Sequence, residues 1–461
     1  MRRAVGIVAG ACALALAGTA GAVVWSGAEP GDRTVGTWHD AVAADASRTP
    51  VSLSQSASAA PSSAASAAPS AAPVLSGSAP TAAPSPEVGG ERIHESATVD
   101  PEVEDGRQRV GELLDVDALL GYGKPERRVF HYPEASYVKL HFSRMAMLPG
   151  DYVTVSDAKG TESYRYDAPK LLSADKWAMS VTGDTAVLEV HRAGGGLVNK
   201  LLGSLGVEVD KVARGYTRRE QARAPGAELP TPGRSGREES VCGSDESTDA
   251  VCYRSADPVA YTRSKAIARL LINGTELCTG WRIGAKNRML TNNHCFDNSN
   301  DAYETEVWFN YQCAKCGGYD VFRPTKVWAD KVLATDRTLD YTLFTTEHFE
   351  AVRKFGFLSL DTGRPAQGQE LYVPQHPAGE PTRIAGRRGE KAGTCSVVDN
   401  AFDGYAANSD VSYYCDTEGG SSGSPVLSRR TDKVVALHHF GGCPNSGVRA
   451  DLIHEKVKGF L

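Results

Sequence analysis

The sequence predicts a largely β protein in two structured parts: a small antiparallel β domain, then an all-β barrel or sandwich. Three observations carry this. Short apolar/polar alternations separated by turn signals recur from about residue 95 onward, the period-2 signature of half-buried strands. A block of Ala, Ser and Pro from about Ala43 to Pro86 has almost no side chain able to build a core, so it reads as a disordered linker ahead of the folded parts. Nine of the ten cysteines lie after residue 240, among further short β-like runs. No repeat of solenoid period is present.

The 461 residues, 41% hydrophobic and 23% charged, suit a globular chain with sizeable cores. Fifty Lys and Arg against 56 Asp and Glu leave a net charge of -6, so nucleic acid is not the expected partner. Residues 1–22 read as an export signal. Arg2 and Arg3 precede a run of apolar and small residues, and Ala20-Gly21-Ala22 offers a cleavage site. An uncleaved anchor is the alternative, because the run approaches the ~20 residues that span a bilayer. A polytopic membrane protein is excluded, and export makes disulfides the default for the later cysteines. Their number is odd, leaving at least one thiol over.

The linker occupies residues 23–94. Residues 95–216 form the first β domain: Val138-Lys139-Leu140-His141-Phe142 alternates, as do 152–155 and 186–190, with turns at Leu148-Pro149-Gly150-Asp151 and Thr182-Gly183-Asp184. The domain is either a pro-region or a retained substrate-binding module. Residues 217–240 are an exposed connector rich in Arg, Gly, Pro and Glu, of the kind proteases cut. Residues 241–461 are the second domain.

Three local signals in that domain fit one catalytic machine. Leu290-Thr291-Asn292-Asn293-His294-Cys295 leads an apolar strand into a histidine, and a Cys278–Cys295 disulfide would pin it, contributing ~3 kcal/mol. Leu339-Asp340-Tyr341-Thr342-Leu343-Phe344 places a carboxylate at the head of an apolar strand, where it would accept the second N–H of the histidine. Gly419-Gly420-Ser421-Ser422-Gly423-Ser424-Pro425 surrounds one serine with small residues. The Gly420 and Ser422 N–H groups then converge as an oxyanion hole. The order is His, Asp, Ser, with gaps of 46 (340 minus 294) and 82 (422 minus 340) residues. α/β-Hydrolases run Ser, acid, His, and the Ser422 context fails G-x-S-x-G because Ser424 stands two residues on.

These segments resemble the His, Asp and Ser motifs of chymotrypsin-fold, trypsin-like serine peptidases. Trp308-Phe309-Asn310-Tyr311-Gln312-Cys313, Gln375-His376-Pro377 and Leu437-His438-His439 are similar to segments of secreted bacterial lysyl endopeptidases, and His438 also resembles a histidine of the glutamyl endopeptidases. The resemblance implies two six-stranded β-barrels with the site between them. It also implies His294 as general base, Asp340 as its orienter, Ser422 as nucleophile, and Gly420 with Ser422 as the oxyanion hole. Animal members carry Asp just before the nucleophile; Ser421 stands there, so zymogen control must take another route.

By the same resemblance, Asp416 occupies the position that binds Lys or Arg side chains, and cleavage after basic residues is expected. His438 occupies a position where glutamyl endopeptidases bind acidic side chains, which is the alternative. The implied disulfides are Cys242–Cys443, Cys252 with Cys313 or Cys316, and Cys395–Cys415. Neither cofactor nor metal is expected, since Cys313 and Cys316 lack a second ligand pair of zinc spacing. The expected protein is a secreted endopeptidase acting on peptides, with no membrane partner unless the N-terminal helix is retained. A catalytically silent binding protein is the competing class, and the oligomeric state stays open.

Overall fold

The computed structural model describes residues 50–52, 106–168, 176–193, 205–222, 229–230, 241–386 and 395–461. The export signal with Cys12, nearly all of the linker and most of the Arg-rich connector lie outside the described residues. Among the described residues no helix is long and apolar enough to cross a membrane.

The first part is a β-sandwich. Its strands are β3 (Gly111–Leu120), β4 (Arg127–His131), β5 (Tyr137–Ala146), β6 (Tyr152–Ser156), β7 (Ser163–Asp167), β8 (Lys176–Trp177), β9 (Val181–Thr182), β10 (Thr185–His191) and β11 (Gly206–Gly215), whereas the preceding β2 (Gln108–Arg109) pairs with the second part of the chain. One sheet runs β4-β10-β6-β7 and the other β3-β11-β5-β8, with β9 also on β5. Alternate residues of each strand enter one core, including Leu140, Phe142, Val153, Val155, Leu188 and Val209.

Strand β5 departs from its sequence reading. Its polar residues Lys139 and His141 do not face water. Both are buried, Lys139 against the second part of the chain and His141 within the sandwich, its Nδ1 2.6 Å from Asp210 Oδ1. Lys139 Nζ lies 2.8 Å from Glu306 Oε1, and Glu306 also accepts the Ser180 N–H (2.9 Å), the Ser180 hydroxyl (2.6 Å) and Trp308 Nε1–H (2.7 Å). Lys326 Nζ pairs with Glu162 Oε1 at 2.8 Å and donates to the Ser180 carbonyl at 2.7 Å. Burial opposes the Glu306 charge, but the two lysines outweigh it and hold its pKa below the ordinary carboxylate range.

The second part is all-β. Strands β14 (Ile267–Ile272), β15 (Glu276–Arg282), β16 (Met289–Thr291), β17 (Glu306–Phe309), β19 (Thr325–Asp336) and β20 (Tyr341–Thr346) pair in the order β14-β17-β19-β20-β16-β15. Pairing of β14 with β15 closes a six-stranded barrel. Strand β18 (Asp320–Phe322) pairs outside it with β1 (Pro50–Ser52).

The other sheet runs β13 (Thr248–Asp249), β22 (Arg383–Ala385), β21 (Leu371–Gln375), β25 (Pro425–Ser428), β26 (Val434–Gly441), β27 (Asn445–Arg449), β24 (Asp410–Tyr413) and β23 (Val397–Phe402). This is a half-barrel rather than a second closed six-stranded barrel. Among the described residues an isolated Glu370–Ser396 bridge links the β21 and β23 sides of this sheet. The protein is thus mostly β, with the closed barrel and half-barrel of a chymotrypsin-like domain. A third apolar cluster, with Trp281, Leu343, Tyr372 and Leu437, fixes the two halves against each other.

Four disulfides staple this part: Cys242–Cys443, Cys252–Cys316, Cys278–Cys295 and Cys395–Cys415. Cys313 is the buried free thiol, its pKa pushed up to about 12 by burial and by Asp249. The connector is not uniformly exposed. Thr217 caps the helical turn α1 (Arg218–Gln221), and Gln221 donates to the Ala378 carbonyl. Strand β12 (Leu229–Pro230) pairs in parallel with β26 at Phe440 and Gly441.

Candidate active site

Strand β16 ends at Thr291 and delivers His294 to the seam between the halves. The Cys278–Cys295 disulfide ties the next residue to β15, and Asn292 Nδ2–H donates to the Asp340 carbonyl at 2.8 Å. Asp340 precedes β20 in a left-handed conformation (φ +39°), which turns its carboxylate back onto the His294 loop. One oxygen accepts the His294 backbone N–H at 3.0 Å, and the other lies 2.8 Å from His294 Nδ1. Because a carboxylate only accepts, Nδ1 carries the proton and Nε2 is left as the acceptor.

A second histidine shares this carboxylate. His439 Nδ1 lies 3.0 Å from Asp340 Oδ2, while its Nε2 lies 2.6 Å from Asp410 Oδ2. With a carboxylate at each ring nitrogen, both nitrogens must donate, so His439 is an imidazolium. Burial opposes that charge, but Asp410 and the two hydrogen bonds outweigh it and push the pKa up to about 9. Asp410 is held in turn by the Ser409 and Ser446 hydroxyls at 2.8 and 3.0 Å. Asp340 is also buried, yet His294 and His439 keep its pKa far below the usual range.

The Ser422 loop is stitched to both halves. The Thr279 N–H donates to the Ser422 carbonyl (2.8 Å), the Thr279 hydroxyl to the Gly420 carbonyl (2.8 Å), and the Gly423 N–H to the His438 carbonyl (2.9 Å). Gly423 has φ +87°, and a Cβ there would lie 2.1 Å from the Thr279 carbonyl oxygen, so only glycine lets the loop approach β15. Neither the Gly420 nor the Ser422 N–H donates to another described residue. The Ser422 hydroxyl and His294 Nε2 are both buried, and neither has a hydrogen-bond partner among the described residues. The Ser–His hydrogen bond is therefore not formed here.

Of the two specificity candidates, Asp416 is buried. Burial raises its pKa, and its carboxylate accepts the Glu246 N–H at 2.9 Å and the Cys242 backbone N–H. His438 is buried on β26, with Nδ1 2.8 Å from the Tyr413 hydroxyl. Asp410 and the role of His439 escaped the sequence reading; the one visible signal was two consecutive histidines on a strand, which must face opposite ways. Cys278, His294 and Cys295 lie within 4.8 Å of one another, but the two sulfurs are bonded together and the imidazole is held by Asp340, so the trio does not fit a metal.

Comparison with known proteins adds the following. The family model described as trypsin-like peptidase domain matches residues 278–437. The chain is 40% identical over 237 residues to Secreted RxLR effector protein 73 of Plasmopara viticola, covering 49% of this chain and 58% of that protein. It is 31% identical over 200 residues to the uncharacterized protein y4fB of Sinorhizobium fredii (strain NBRC 101917 / NGR234), covering 39% and 28%. The chain thus spans less than two thirds of either curated relative. Among solved structures it is similar to a Glu endopeptidase in complex with MPD (TM-score 0.35, 20% identity, 48% of this chain and 98% of that one). It is also similar to the HtrA-type protease AlgW with tripeptide (TM-score 0.33, 12% identity, 45% and 63%).

Proposed function

We propose that this chain is a secreted serine endopeptidase working through an acyl-enzyme. The observation that carries the reading is Asp340 gripping both the Nδ1–H and the backbone N–H of His294 beside a serine loop with two undonated N–H groups. In the proposed reaction His294 Nε2 takes the Ser422 proton as Oγ attacks the peptide carbonyl. The Gly420 and Ser422 N–H groups receive the oxyanion, and His294 then protonates the leaving amine before water releases the acyl group. Asp340 stays ionised throughout, and the His439–Asp410 pair holds it from behind.

The sequence favoured cleavage after Lys or Arg through Asp416. The backbone contacts of Asp416 weaken that reading, whereas His438 sits on the strand bonded to the Ser422 loop, which supports acidic side chains. Export is supported by four disulfides and by the printed name of the relative at 40% identity.

The test is a cleavage profile of the secreted protein on a mixed peptide library, with Ser422→Ala alongside. Cuts after Glu or Asp that vanish in the mutant are expected, and cuts after Lys or Arg would return the pocket to Asp416. An absence of Ser422-dependent cutting, once residues 217–240 have been opened deliberately, would favour a silent binding protein.

A further inference from the structure

The serine and histidine are covered by the chain's own residues 106–110. Strand β2 adds antiparallel to the edge of β15, Gln108 opposite Leu277 and Arg109 opposite Glu276, immediately before Cys278. The Val110 N–H continues the ladder to the Thr275 carbonyl at 2.8 Å. Arg107 and Gln108 are each 2% exposed and Ser422 is 0% exposed. A Cβ on Gly420 would lie 3.4 Å from that of Gln108, so the segment passes directly over the oxyanion loop.

Arg107 shows what the site accepts. Its guanidinium lies 2.9 Å from Glu276 Oε2 and 3.8 Å from Asp301 Oδ2, and its Nε–H donates to the His294 carbonyl at 3.3 Å. Arg107 and Asp301 line a cleft of about 470 Å³ together with His294 and Asp340. In acyl transfer His294 hands its proton to the departing amine, so a side chain packed on the His294 loop lies on the leaving-group side of the scissile bond. Ser422 Oγ and His294 Nε2 are both buried and have no partner among the described residues.

Building on the protease reading, we propose that Gly106–Arg109 is a built-in pseudosubstrate. It holds the intact chain latent, and Glu276 with Asp301 forms a subsite selecting Arg or Lys on the leaving-group side. Extended peptides recognise such an edge by strand addition, with backbone bonds giving affinity and side-chain pockets giving selectivity. The segment also supplies a route to latency that the Ser421 position lacks. A segment of the connector docks on the other half as well, since β12 pairs with β26 beyond His439.

The experiment uses the full chain and two readouts. Labelling of Ser422 by a small fluorophosphonate reports access to the nucleophile whatever the subsite prefers. A peptide panel varying only the residue after the scissile bond reports selection. Arg107→Ala is expected to label at least about tenfold faster than the parent, as loss of a buried ion pair is worth a factor of this order.

In the Arg107→Ala background the panel should favour Arg or Lys over Ala by about tenfold, and Glu276→Gln should largely abolish that ratio. The charge-swapped pair Arg107→Glu with Glu276→Arg should restore slow labelling, and Asp301→Asn should lower the ratio less. Unchanged labelling of Arg107→Ala, or an unchanged ratio in both Glu276→Gln and Asp301→Asn, would overturn the proposal. A chain that neither labels nor cleaves in any form, including after its connector is cut, would overturn the protease reading and this proposal with it.

Discussion

Two charged clusters are buried in this molecule, and they are built in opposite ways. At the contact between the sandwich and the barrel, Glu306 accepts from Ser180 and Trp308 and pairs with Lys139, while Lys326 joins Glu162 to the Ser180 carbonyl. The carboxylates there are met from several sides. In the cleft, Asp340, His439 and Asp410 are equally well met, but Ser422 Oγ, His294 Nε2 and the Gly420 N–H point at nothing among the described residues. A buried group left unpaired costs stability, and one that faces a cleft is where a ligand can complete it. The first cluster is a weld and the second a site.

The largest test of that contrast lies in the cleft. Ser422→Ala should lower kcat by about 10⁴-fold or more with little change in thermal midpoint, and Asp340→Asn should lower kcat by a similar factor, both measured on activated enzyme. The weld should answer the other way. Glu306→Ala leaves the buried Lys139 without its carboxylate partner and should cost ~3–5 kcal/mol, read from the denaturant midpoint of the intact chain. Full stability in that variant would sink the distinction.

A smaller effect separates the inner part of the site from its reactive part. Asp410→Asn removes the anchor of His439 and should lower kcat/KM by about tenfold, as loss of a supporting partner typically does. The pH profile supplies the sign. The folded pKa of His439, about 9, exceeds the ordinary histidine value, so its stabilising contribution is complete below about pH 6.5 and is lost as pH rises through 9. Parent protein should lose stability over that window in urea titrations, and Asp410→Asn should lose less. The smallest expected effect is at Cys313: its buried, raised thiol should resist iodoacetamide in the native chain and react on unfolding, counted by mass.

The legible part of the fold was local. Period-2 runs and turn residues announced the strands, and the small residues around Ser422 announced a tight loop, because backbone sterics act within a few positions. The same alternation in β5 was misleading about its environment. Val138, Leu140 and Phe142 do enter the sandwich core, but Lys139 meets Glu306 of the barrel and His141 meets Asp210 of the sandwich instead of water. A strand's pattern says that its faces differ and leaves open what each face touches. The Cys252 pairing shows the same limit: Cys313 and Cys316 were equivalent along the chain, and the fold chose Cys316.

Residue order and local chemistry were therefore enough to set the all-β class, the His-Asp-Ser order and the glycines a close-packed serine loop requires. The approach of Arg107 to Glu276, 169 positions away, came only from tertiary structure, as did His439 lying between two carboxylates and the closing of the cleft by residues 106–110. The physical reason is range. Steric and hydrogen-bond preferences are written into neighbouring residues, whereas an ion pair in a buried cleft depends on which distant surfaces the hydrophobic cores have already brought together.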